Sequence, residues 1–205
     1  FNSNGYSVGP SYTGSYNVTG EDYVSWTFRK APSFFDMVTY TGNGNASQTI
    51  SHGLGSLPGF FVCKPLSGGG WRAYHRSLGS DAYGQLNENY GWSLSDNIEA
   101  WAQTDPTASE FTVGTTNNTD GIEFVAYLFG HDDSDEGMMQ CGTYDGIASP
   151  AKPEVDLGWE PQWVMIKRAD LTGSWTIVDS MRGITDGPVD EGCNVLRANT
   201  EEAEF

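Results

Sequence analysis

The pattern of hydrophobic and polar positions along the chain occurs twice. Phe60-Phe61-Val62-Cys63-Lys64 is a short apolar run ending on a charge, as expected of a strand buried on both faces. Ser67-Gly68-Gly69-Gly70 follows and supplies the positive φ angles that a hairpin turn needs. The return strand alternates, with Trp71, Ala73 and His75 on one face and Arg72, Tyr74 and Arg76 on the other. Trp163-Val164-Met165-Ile166-Lys167, a turn through residues 170–174, and Trp175-Thr176-Ile177-Val178-Asp179 repeat the arrangement. Lys64 to Trp71 is seven positions and Lys167 to Trp175 is eight, so the copies differ by one turn residue. The matched tryptophans, Trp71 and Trp175, are expected to be buried at equivalent places in the two hairpins.

Other blocks recur in the same order. Tyr6-Ser7-Val8-Gly9 returns as Phe111-Thr112-Val113-Gly114, and Tyr23-Val24-Ser25-Trp26-Thr27-Phe28 as Phe124-Val125-Ala126-Tyr127-Leu128-Phe129. Both pairs alternate like half-buried strands. Phe35-Asp36-Met37-Val38-Thr39-Tyr40-Thr41-Gly42 corresponds to Met139-Gln140-Cys141-Gly142-Thr143-Tyr144-Asp145-Gly146. The period is close to 104 residues, from Tyr40 to Tyr144 and from Trp71 to Trp175, which is the size of a domain rather than of a solenoid coil. Residues 1–32 therefore read as the back part of a repeat, 33–133 as one complete repeat, and 138–205 as the front part of the next. The predicted fold is all-β, with tandem antiparallel β-sandwich repeats of a concanavalin or jelly-roll type. Helical periodicity is confined to a turn within residues 96–102. The two half-repeats would each leave open strand edges unless completed by a longer chain, by each other, or by a neighbouring subunit.

Twenty-six glycines and 13% aromatic residues agree with an all-β chain of many turns. A formal charge of −17 with ten basic residues argues against a nucleic-acid or anionic-membrane partner, because phosphate binding needs clustered Lys and Arg. No apolar run reaches the roughly 18–20 residues of a membrane span, so no membrane insertion is expected. The first residue is Phe1 rather than Met, so the chain is expected to be processed or to belong to something longer. Cys63, Cys141 and Cys193 have no metal-ligand spacing and read as free, mostly buried thiols.

No catalytic constellation emerges, and the chain is read as a non-enzyme. His75 aligns with Asp179 in the second hairpin, a change not expected of a catalytic base; a polar residue at a strand end suits both. A glycoside hydrolase is the enzyme alternative, but no rule of spacing pairs two carboxylates across a cleft. Asp132, Asp133 and Asp135 lie in an acidic junction that could gather oxygen ligands around calcium, although it lacks the spacing of an EF-hand loop and a solvated linker is the plainer reading. Trp92 and Trp101 stand among Asn89, Asp96 and Asn97, a mixture of ring faces, amides and carboxylates suited to sugars. The plainer reading is that these tryptophans cover one end of the fold.

Several motifs together, Val38-Thr39-Tyr40-Thr41-Gly42-Asn43-Gly44, Ser51-His52-Gly53-Leu54-Gly55, Trp71-Arg72-Ala73-Tyr74-His75-Arg76-Ser77-Leu78 and Leu157-Gly158-Trp159-Glu160-Pro161-Gln162-Trp163, carry a family likeness. The chain resembles a repeated domain of uncharacterised function in tail fibre and virion structural proteins of tailed phages, many from marine bacteria. The resemblance implies a structural module of a phage tail fibre or similar virion appendage. Its location would be the virion or the extracellular space. Its partners would be other copies of itself, other virion proteins, and a bacterial surface glycan reached through loops. The alternatives are a bacterial secreted or cell-surface carbohydrate-binding module and a self-assembling extracellular filament. The resemblance assigns no site residues and implies no cofactor.

Overall fold

A computed structural model of the chain describes residues 2–10, 16–94, 98–148, 150–181 and 194–200. The readings on Asp96, Asn97 and Cys193 lie outside the described residues. Among those described, the strands are β1 (Phe35–Thr41), β2 (Ser47–Ser51), β3 (Phe60–Pro65), β4 (Arg72–His75), β5 (Ala82–Gln85), β6 (Ser93–Leu94), β7 (Glu110–Gly114), β8 (Glu123–Phe129), β9 (Trp163–Lys167), β10 (Trp175–Asp179) and β11 (Leu196–Arg197). Among the described residues, helix is limited to α1 (Ile98–Trp101), close to the expected turn, and one 3-10 turn at Thr115–Asn117. The fold is nearly all-β, and every strand pairing is antiparallel.

The centre is a six-stranded sheet in the order β1-β8-β3-β4-β5-β6. The run that begins at Phe60 forms β3, and both of its faces are covered, as its pattern predicted. One face sends Phe61, Cys63, Tyr74, Ala126 and Leu128 against Ile50 of β2, Phe111 and Val113 of β7, and Trp101 of α1. The other face sends Phe60, Val62, Ala73 and Ala82 against Trp92, Cys141 and Trp175. Trp175 belongs to the second sheet, β11-β10-β9, so the second hairpin acts as a cover for the first.

The two three-strand meanders carry the same bonds. Trp71 N–H donates to Asn87 Oδ1 at 2.7 Å, and Trp175 N–H donates to Asn199 Oδ1 at 2.8 Å. Leu86 N–H reaches the Trp71 carbonyl, and Ala198 N–H reaches the Trp175 carbonyl. Lys64 Nζ caps the Pro65 carbonyl, and Lys167 Nζ caps the Arg168 carbonyl. At the far end of each return strand, Ser77 N–H donates to His75 Nδ1 (3.2 Å) and Met181 N–H to Asp179 Oδ1 (3.1 Å). His75 and Asp179 thus do one job, accepting a backbone N–H two residues on, as turn-forming side chains do.

Three expectations change. Trp175 is 2% exposed, but Trp71 is only half-buried, stacked on Tyr127 with Lys64 Nζ over its ring. The bonds are matched while the burial is not, because one ring faces the other lobe and the other lies near the rim. Residues 23–28 form no strand, and Tyr23, Val24, Trp26 and Phe28 are 42–57% exposed. The Phe28 ring lies 5.3–6.3 Å from those of Phe129, Phe35 and Phe34. Residues 139–146, the counterpart of β1, are likewise irregular. A strand forms only where an edge receives it, and within this chain neither segment has been given one.

Candidate functional site

The segment singled out for sugar binding is where the second meander docks. Trp92 is 8% exposed, and its ring lies 6.0 Å from Trp175 and 6.3 Å from His75. Trp92 N–H donates to the Ala169 carbonyl, and Gly173 N–H donates to the Asn89 carbonyl. The Trp175 indole N–H reaches across to the Gln85 carbonyl at 2.9 Å. Gly84 permits this approach, since a Cβ there would stand 3.0 Å from the Trp92 ring. Trp101 belongs to the opposite face of the sheet, 1% exposed, with Phe61 and Tyr74 against its ring and its indole N–H on the Ala82 carbonyl. Trp92 and Trp101 are therefore on different faces of one sheet and form no common platform. Both have the covering role instead. A shallow depression of about 140 Å³ lined by Tyr83, Gln85, Tyr90, Gly91 and Ser93 is below the roughly 300 Å³ of small-molecule pockets.

The acidic junction does not gather its carboxylates. Asp132 Oδ1 accepts the Ser134 N–H at 3.0 Å, and Asp135 lies against Gly158. Among the described residues, no group of three or more His, Cys, Asp or Glu is placed to hold a metal ion.

The structure assembles one cluster that spacing alone did not show. Cys141 N–H donates to His131 Nδ1 at 3.0 Å, while the Cys141 thiol points at the Gly130 carbonyl, 3.9 Å away. Arg76, His75 and His131 are close enough to influence one another's charge. Burial pushes the Cys141 thiol up to about 12, against a lowering by Arg76, so it is protonated at neutral pH. With His131 Nδ1 engaged by a backbone N–H, the pair is built for packing and not for a thiolate nucleophile. On the other side of the sheet, Asp36 is fully buried. Burial would raise its carboxyl, but the Lys30 ammonium (2.5 Å), the Gly53 N–H (2.6 Å) and the Met37 N–H (2.8 Å) outweigh that and hold it below the usual range.

These shifts fix an acid dependence. His52, His75 and His131 are each lowered by burial first, with Arg76 adding to the effect on His75 and His131. As pH falls through 6.5, their ordinary value, the unfolded chain takes up protons that the folded chain refuses, so stability declines. Asp36 acts in a lower window. Its stabilisation is present above 3.8 and disappears as pH falls through its depressed folded value. Urea midpoints should therefore drop between pH 7 and 5 and again below about 4. Replacing His52, His75 and His131 by Asn should flatten only the first step. An unchanged first step would show that other groups cause it.

A family model described as a domain of unknown function, DUF7483, matches residues 1–205. No curated protein and no solved structure matches the chain.

Proposed function

The chain belongs to the DUF7483 family, and from that premise we propose that it is a structural module of an extended appendage, a tail fibre or similar part of a tailed-phage virion. It does not catalyse a reaction in this reading. Its work is to span distance as a tandem array of β-sandwich units with a period near 104 residues, and to present loops to a host surface. The observation that carries this reading is the pair of meanders with matched bonds at Trp71 and Trp175. A module copied with its anchoring bonds, and packed on its predecessor through Trp175, is a direct means of building length. The rings that could have served as a sugar platform are used in packing, Trp92 against Trp175 and Trp101 in the core on the opposite face of the sheet, which favours the spacer over a dedicated carbohydrate-binding module. The strongly acidic surface suits exposure to a medium of high ionic strength.

The test is location. Antibodies raised against this chain should decorate the fibres of purified virions from the phage that encodes it, seen by gold labelling in the electron microscope. Virions that carry no label, with the protein recovered only in the cell-free medium, would overturn the reading.

A further inference from the structure

The sequence contains two Asn-Gly pairs, Asn4-Gly5 and Asn43-Gly44, and the fold treats them oppositely. In such a pair the glycine nitrogen can attack the preceding side-chain carboxamide, because the glycine has no Cβ to hinder the approach. A bond forms from that nitrogen to Asn Cγ, the Cγ–Nδ2 bond breaks, and ammonia leaves from a five-membered succinimide. Water then opens the ring at either carbonyl, leaving Asp or isoaspartate in place of Asn. The step needs no oxidant and no enzyme. It does need the glycine nitrogen to lose its proton and to swing against Cγ, so a backbone held in place resists it.

Asn43-Gly44 is held in place at the turn between β1 and β2. Gly44 N–H donates to the Asn118 carbonyl at 2.9 Å. Asn43 N–H donates to Asn118 Oδ1 at 2.9 Å, and Asn118 Nδ2 donates back to Asn43 Oδ1 (2.8 Å) and to the Asn45 carbonyl (2.9 Å). Asn45 N–H closes the turn on Asn43 Oδ1 at 3.0 Å. The attacking nitrogen and the carboxamide it would attack are thus both tied to Asn118, which is 0% exposed. Space is closed as well, since a Cβ on Gly42 would stand 2.2 Å from the Thr119 carbonyl oxygen and one on Gly44 3.0 Å from the Asp120 side chain. Asn4-Gly5 is the reverse case. Residues 2–10 are exposed, and nothing lies within 4 Å of where a Gly5 Cβ would begin.

We propose that Asn4 is a site of spontaneous deamidation, and that Asn118 is the positioning residue that protects Asn43 from the same reaction. The consequences differ between the two places. At Asn4 the product adds one carboxylate to an exposed segment and touches no packing. At Asn43 an isoaspartate would lengthen the backbone by one carbon in a turn that has no room at Gly42, and would break the bonds that tie this turn to the loop leading into β8. Asp120-Gly121, in that facing loop, has its glycine N–H on the Gly42 carbonyl at 3.0 Å, so each loop holds the glycine nitrogen of the other. The protein therefore concentrates its chemical ageing where the fold is indifferent to it. The proposal is independent of the appendage reading.

The test is to incubate the full 205-residue chain at mildly alkaline pH, folded and in guanidinium chloride, and to follow each Asn by peptide mapping in the mass spectrometer. Replacement of ammonia by water marks the product, and a chromatographic split of the peptide separates Asp from isoaspartate. A turn closed by these bonds reacts only when it opens, so in the folded chain Asn43 should react at least about tenfold more slowly than Asn4. In denaturant the two rates should converge. Asn118→Ala removes the side-chain bonds and should speed Asn43 severalfold while leaving Asn4 unchanged. If that variant does not fold, the comparison of folded and denatured wild type still decides the matter. Equal rates in the folded chain, an Asn4 that does not react, or an Asn43 that stays slow in denaturant would each overturn the proposal. A folded Asn118→Ala chain in which Asn43 is as slow as in the wild type would remove Asn118 from the protecting role.

Discussion

Trp175→Ala is expected to lower stability by about 3–5 kcal/mol, the usual cost of deleting a large buried aromatic ring, and to release the second meander from the first. The ring is 2% exposed and lies against Phe60 and Trp92, and its N–H bonds the Gln85 carbonyl, so the substitution removes packing on both lobes and one bond between them. Trp71→Ala removes the matched residue but a half-buried one, and should cost roughly half as much or less, in proportion to the apolar area it covers. Denaturant unfolding of both variants, followed by intrinsic fluorescence, gives the comparison. Limited proteolysis should cut the Trp175→Ala chain first between the lobes, in residues 146–160. Equal losses for the two variants would mean that the lobes do not depend on Trp175 for their contact.

How much of this could be read from the residues depends on whether a segment carries its own reason for its structure. The apolar run from Phe60 and the glycines after Ser67 specify a buried strand and a turn locally, and β3 and β4 form where they were expected. The exchange of His75 for Asp179 reads as a polar residue at a strand end in both copies, and both accept a backbone N–H at the same point of the turn. Residues 23–28 have the alternation of a strand, but alternation states only which faces differ. Whether an edge is present to receive them is a property of the whole assembly. Burial was the harder matter. Trp92 and Trp101 lie in a polar stretch, and nothing in that stretch says that Trp175 will cover one from a segment some eighty residues away while the helical turn α1 carries the other to the opposite face. The Lys30–Asp36 pair and the His131–Cys141 contact are similarly products of folding, with no spacing rule to reveal them.

Trp101→Ala separates the two roles that the aromatic stretch could have had. A sugar platform is exposed and dispensable to the fold, so its truncation abolishes binding and leaves melting unchanged. A core residue behaves in the opposite way. Trp101 is 1% exposed, with the Phe61 ring at 4.8 Å and the Tyr74 ring at 6.1 Å, both edge-on, and an N–H···O bond of 3.0 Å to the Ala82 carbonyl. Its removal empties the space between α1 and the six-stranded sheet, strips two aromatic neighbours of contact, and leaves a buried carbonyl without that donor. The expected loss is about 3–5 kcal/mol, the same order as for Trp175, but it should appear in the first lobe. Hydrogen exchange should accelerate across β3, β4 and β7, which meet at this ring, while β9 and β10 keep their protection. Trp101→Phe retains part of the volume and should recover more than half of the loss. A Trp101→Ala chain that melts like the wild type would remove this ring from the core and restore it as a candidate ligand platform.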